Sequence, residues 1–106
     1  MAQTAHTVLL VQASGLDTRQ YSDYDSLNDA LQGICHMYEQ HLKKMFPLDT
    51  EIQYDLSQLF EYIDALTDLS LLVFKRATHS YAPQTKEWIK EKLYMLLRTD
   101  TNKSDG

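Results

Sequence analysis

Four histidines, one cysteine and fifteen acidic residues are the side chains of this 106-residue chain best suited to chemistry, and their spacing decides what they can do. His36 and His41 stand five residues apart. On a helix that separates them by about 140° around the axis, whereas a shared metal ion calls for an i, i+4 pair. His6 and His79 are remote in sequence, so solvated or structural roles are expected for all four. Glu61, Asp64 and Asp68 recur at helical steps and could pair as acid and base, but beside an apolar stripe that spacing describes a solvated helix face. Cys35 adjoins apolar positions and reads as a small buried hydrophobe. The three glycines form no phosphate-cradling pattern. No catalytic constellation, metal site or cofactor site is expected, and the chain is read as a non-enzyme.

Composition narrows the class further. Fifteen acidic residues against ten basic leave a formal charge of −5, with the basic residues scattered, so direct binding to a phosphate backbone is not the first expectation. One cysteine cannot make an internal disulfide, and no apolar run approaches the length needed to cross a bilayer. An intracellular protein without membrane attachment is expected. The length suits a single domain over residues 1–100 with a polar, flexible tail at 101–106 and a short mobile arm at 1–5.

The elements that must position any site follow from periodicity and punctuation. Residues 6–12 are rich in β-branched side chains and read as a strand, with Thr7, Leu9 and Val11 on one side and His6, Val8, Leu10 and Gln12 on the other. Turn chemistry at 13–17 leads to a short second strand at 19–24. Ser26 caps a helix whose apolar stripe is Leu27, Leu31, Ile34, Tyr38, Leu42 and Met45, ended by Pro47. Gly33 inside that helix hints at close packing. Asp55 and Gln58 suggest a capping box, with Tyr54 and Leu59 as a hydrophobic staple, for a second helix through Ile63 and Leu66. The apolar run at 70–75 is a buried strand. Tyr81 begins a fourth strand that Pro83 stops, and Thr85 caps a last helix with Trp88 or Ile89, Leu93, Leu96 and Leu97 on its apolar face. The order ββααββα predicts an α+β fold, a small antiparallel sheet with three amphipathic helices.

Three one-sided helices can cover only one face of such a sheet, and the other face still carries apolar residues. On the first strand the side flanked by polar His6 and Gln12 should face outward, exposing Val8 and Leu10. On the third, either Leu72 and Phe74 or Leu71 and Val73 must do the same. With the first pair, the face comprises His6, Val8, Leu10, Tyr21, Leu72 and Phe74. Tyrosines near the sheet, Tyr21, Tyr24 and Tyr81, suit a wet interface or ordinary packing equally. Contiguous exposed apolar patches usually mark an interface, and self-association about a two-fold axis is the commonest solution. A sheet-to-sheet homodimer is therefore expected.

Particular residues also carry a resemblance. His6 and Thr7 with Leu9, Leu10, Val11 and Gln12, then Tyr21 with Asp23 and Tyr24, then Tyr54, Asp55, Ser57, Gln58, Leu59 and Phe60 form its first half. Ile63, Asp64, Asp68, Leu69, Ser70, Leu72 and Val73, followed by Trp88 through Lys92 and Leu96 through Arg98, complete it. Together they make the chain closely similar to the enhancer of rudimentary homolog family over nearly its whole length. The resemblance implies a four-stranded antiparallel sheet with three helices on one side, dimerised through the sheet. It also implies a non-enzymatic adaptor, nuclear or cytoplasmic, that docks segments of RNA-processing proteins in splicing, small-RNA processing or selective RNA decay, with a cell-cycle link. Direct RNA binding and transcriptional co-regulation are the alternatives. Where the family usually has a threonine before the Tyr21 position this chain has Gln20, so a phosphate carried there is not expected. Ser26 matches a family serine and, with Asp29 three residues on, is a candidate phosphorylation site; a plain helix cap is the simpler reading.

Overall fold

β1 (Thr7–Gln12) is the strand on which the sheet is built. It pairs antiparallel with β2 (Arg19–Tyr24) on one side and β3 (Asp68–Lys75) on the other. β4 (Ser80–Gln84) continues from β3, giving the order β2-β1-β3-β4. The computed structural model describes residues 5–46 and 55–105, with side chains through Arg98. Within it α1 (Leu27–Met45), α2 (Leu56–Ala65) and α3 (Lys86–Asp105) complete an α+β fold. The backbone of residues 101–105 continues α3. Residues 1–4 of the arm expected at 1–5, the Pro47 helix stop, the following loop and the Tyr54 staple lie outside the described residues.

Strand alternation divides the sheet as the pattern of polar and apolar residues requires. Thr7 and Leu9 of β1 and Leu69, Leu71 and Val73 of β3 are buried beneath the helices. Ala30, Leu31, Ile34, Cys35 and Tyr38 of α1, Leu59 and Ile63 of α2, and Ile89 and Leu93 of α3 close the same core. Each large aliphatic side chain removed from water here contributes about 1.5–3 kcal/mol. Thr7 is tolerated in this setting because its hydroxyl donates to the Ala5 carbonyl at 2.8 Å.

The helix starts follow from their caps. Ser26 Oγ accepts from the Asp29 backbone N–H at 3.1 Å, and Thr85 Oγ1 accepts from that of Trp88 at 3.3 Å, each satisfying a free helix donor. At α2, Asp55 Oδ1 accepts both the backbone N–H and the hydroxyl of Ser57, at 3.0 and 2.8 Å. Asp55 thus caps the helix as expected, with Ser57 as the partner of its carboxylate. The tight handover from α2 to β3 leaves Leu66 and Thr67 between them, and Leu66, just past the helix, stays in the core. Lys86 of α3 donates to the Leu66 carbonyl, and Lys90 reaches Asp64 at 2.9 Å. Cations at the end of α2 suit its dipole and fasten α3 beside it.

Two details depart from expectation. Pro83 does not stop β4 but sits within it, opposite Leu72. β4 is an edge strand, where a residue without an N–H is tolerated on the unpaired side. Gly33 is explained by Tyr24 at the end of β2, which packs against the core. A Cβ at Gly33 would lie 2.5 Å from the Tyr24 hydroxyl oxygen and 2.8 Å from its Cζ. Gly33→Ala is therefore expected to destabilise the chain by up to about 2 kcal/mol in urea unfolding, because an overpacking cost of about 1–3 kcal/mol outweighs the gain of about 1 kcal/mol in helix propensity. In a Tyr24→Leu background the same substitution is expected to become stabilising, and an unchanged sign there would contradict this packing account.

Candidate functional site

The face of the sheet away from the helices is shaped by the strand register. Leu10 stands opposite Tyr21 on β2 and Ser70 on β3, and Val8 stands opposite Asp23 and Leu72. Leu72 is in turn opposite Pro83, and Phe74 opposite Tyr81. His6 joins them at the start of β1, where its carbonyl accepts from the Phe74 N–H at 3.0 Å. The register thus places His6, Val8, Leu10, Tyr21, Leu72 and Phe74 on one surface. Between the two pairs left open for β3, burial of Leu71 and Val73 assigns Leu72 and Phe74 to the open side. Tyr21 is 63% exposed.

Polar groups close the two ends of this surface and leave its middle apolar. At one end, His6 Nε2 lies 3.2 Å from Asp23 Oδ2 and His6 Nδ1 lies 2.9 Å from the Tyr81 hydroxyl. A carboxylate only accepts, so with Asp23 ionised Nε2 carries the donated proton and, in the neutral ring, Nδ1 accepts from the Tyr81 hydroxyl. The Tyr81 ring meets His6 edge-on at 5.9 Å and Phe74 at 5.3 Å. At the other end, Gln12 Oε1 accepts from Arg19 Nε and Nη2 at 3.2 and 3.1 Å, while Gln12 Nε2 donates to the Ser14 carbonyl. Val8, Leu10 and Leu72 lie between. Such a surface can associate through its centre and fix orientation through its ends.

Asp23, Tyr81 and Pro83 belong to this surface and were not assigned to it from the sequence. Continuing the fourth strand through Pro83 would have placed Tyr81 opposite Phe74. The other chemically capable residues do not converge. His36 meets Gln40 at 3.5 Å, His41 stacks on Tyr62 with ring centres 4.9 Å apart, and Asp64 is engaged by Lys90. Among the described residues no group of three or more histidine, cysteine or acidic side chains is placed to hold a metal ion, and no helix is long and apolar enough to cross a membrane. Cys35 is buried, and Ser26 serves as a cap.

With this geometry in place, comparison with known proteins is direct. The sequence profile of the family described as enhancer of rudimentary matches residues 3–103. The chain belongs to the enhancer of rudimentary family. It is 52% identical over 95 residues to the protein enhancer of rudimentary of Drosophila virilis, covering 89% of this chain and 91% of that one. It is 49% identical over 90 residues to the enhancer of rudimentary homolog of Dictyostelium discoideum, covering 84% and 90%. The enhancer of rudimentary homolog 1 of Schizosaccharomyces pombe is 30% identical over 86 residues.

Two phenols packed where α1 meets α2 yield a pH dependence. Burial raises Tyr38, with Asp55 and Glu61 adding to it, and burial likewise raises Tyr62, both above the ordinary 10.0. The folded chain then holds more protons than the unfolded one above that value, so stability is complete below it and declines as pH rises through it. Tyr62→Phe is expected to flatten the decline in urea midpoint above about pH 10; an unchanged slope would remove Tyr62 from the account.

Proposed function

We propose that the chain works as a non-enzymatic homodimeric adaptor, in which two copies meet through their open sheet faces and the dimer docks segments of RNA-processing proteins. The observation that carries the first half is the apolar centre formed by Val8, Leu10 and Leu72 on the face opposite the described helices. Four strands of about six residues span roughly 20 by 20 Å. A stable interface needs about 800 Å² of accessible surface from each partner, so even a corrugated sheet must engage nearly the whole of this face. The polar ends, His6 with Asp23 and Tyr81 and Gln12 with Arg19, then serve to set register. A two-fold dimer presents every remaining surface twice, and avidity for a partner with two copies follows from that geometry.

The second half, the RNA-processing class of partner and a nuclear or cytoplasmic place of work, rests on membership of the enhancer of rudimentary family and the resemblance set out above. The acidic balance, −5 over the chain, favours docking of proteins over direct contact with a phosphate backbone.

Val8→Arg combined with Leu10→Arg is expected to give a folded monomer by sedimentation equilibrium, because each covered, unpaired guanidinium costs several kcal/mol. A dimer that survives both substitutions would show that another surface joins the copies. In nuclease-treated extracts, wild type is expected to retain RNA-processing proteins that the monomeric variant loses. Loss of all partners on nuclease treatment alone would overturn the adaptor reading in favour of direct RNA binding.

A further inference from the structure

On the helical side of the protomer, remote from the open sheet face, a groove of about 430 Å³ runs between α1, the β1–β2 turn and α2. Val11, Met37 and Leu66 supply apolar lining, and His36, His41 and Lys44 bring nitrogen-bearing side chains from α1. Among the described residues no aspartate or glutamate lines it, although the chain as a whole carries fifteen acidic residues against ten basic ones. Lys44 pairs with no carboxylate among the described residues. Among the described residues His36 meets Gln40 alone, at 3.5 Å, the limit of a hydrogen bond. His41 and Tyr62, their rings tilted together with centres 4.9 Å apart, line both this groove and the neighbouring hollow, which Glu61 also lines. The Lys44 ammonium, with two imidazole rings beside it over an apolar lining on an acidic protein, favours an occupant that brings carboxylates and an apolar side chain to bury.

The strand beside the groove says what form that occupant takes. Gln20 lines the groove and belongs to β2, an edge strand of six residues that contains no proline. The opposite edge, β4, runs through Pro83, which has no backbone N–H to offer. An extended chain lying along β2 can therefore use its main chain for pairing and lower an alternate side chain into the groove, which a small molecule cannot do. A nucleic-acid backbone fits less well, because one lysine and two histidines offer few charges against a repeating phosphate.

We infer that this groove docks a short extended segment of a partner protein, one that carries carboxylates flanking an apolar side chain. The inference rests on the adaptor reading and gives that reading a place and a chemistry.

The test is a selection of random displayed peptides of about twelve residues on the full chain, followed by fluorescence anisotropy with the enriched peptide. The comparison is the double variant His36→Glu with Lys44→Glu, both on the exposed side of α1. Wild type is expected to enrich peptides with acidic residues around an apolar one, and the variant to bind them at least about tenfold more weakly. Lys44→Gln is expected to fall between, and circular dichroism to be the same for all three proteins. Basic or uncharged consensus peptides, binding within about twofold on the double variant, or no enrichment at all would overturn the assignment. Sedimentation of the same samples keeps the two readings apart: a monomeric wild type would defeat the dimer whatever the groove binds. A dimer that enriches no acidic peptide would defeat the groove alone.

Discussion

Pairing of β1 with β3 is the constraint on which the rest of this structure depends. Leu9 and Leu71 face each other across the two strands and are 1% and 0% exposed. That register decides the side on which every neighbour falls, since side chains alternate strictly along a strand. With Leu9 and Leu71 inward, Ile34, Ile63, Ile89 and Leu93 of the three helices pack down on them. Val8, Leu10, Leu72 and Phe74 are turned outward by the same step. A slip of one residue would exchange the two sets, so core and open face are a single decision.

The helices are held over the core by local devices rather than by propensity alone. Caps at Ser26, Asp55 and Thr85 set where each begins. Lys86 and Lys90 tie the first turns of α3 to the end of α2, and the hydrogen bond to Asp64 raises the Lys90 ammonium above its ordinary value. This clamp lies at the handover from α2 into β3. It thereby couples the helical layer to the strand that carries Leu72 and Phe74, linking the core to the surface that the proposed dimer uses.

Much of this was legible in the sequence because local chemistry and global fold agree. Residues 19–24 and the span of α1 from its Ser26 cap match the structure, since turn residues and caps act over a few positions. The β3 face was not legible. Leu69, Leu71, Leu72, Val73 and Phe74 are all apolar, and a strand covered on one side and half-buried on the other loses the alternation that would orient it. Burial seen through the register supplied the missing information. Pro83 misled because its effect depends on whether the strand is central or at an edge, which only the sheet order reveals. Gly33 signalled a close approach, but its partner Tyr24 lies nine residues away on another element. The groove brings together α1, the β1–β2 turn and α2, a juxtaposition that spacing within any one segment cannot show.

The central claim is that the open sheet face meets its own copy, and the most direct measurement is an isotope-filtered nuclear Overhauser experiment on a mixture of labelled and unlabelled chains. Contacts between protomers are predicted from the methyl groups of Val8, Leu10 and Leu72 to the rings of Tyr21 and Phe74. Contacts between protomers that arise from the helices instead, or none at all at concentrations well above a micromolar dissociation constant, would contradict it.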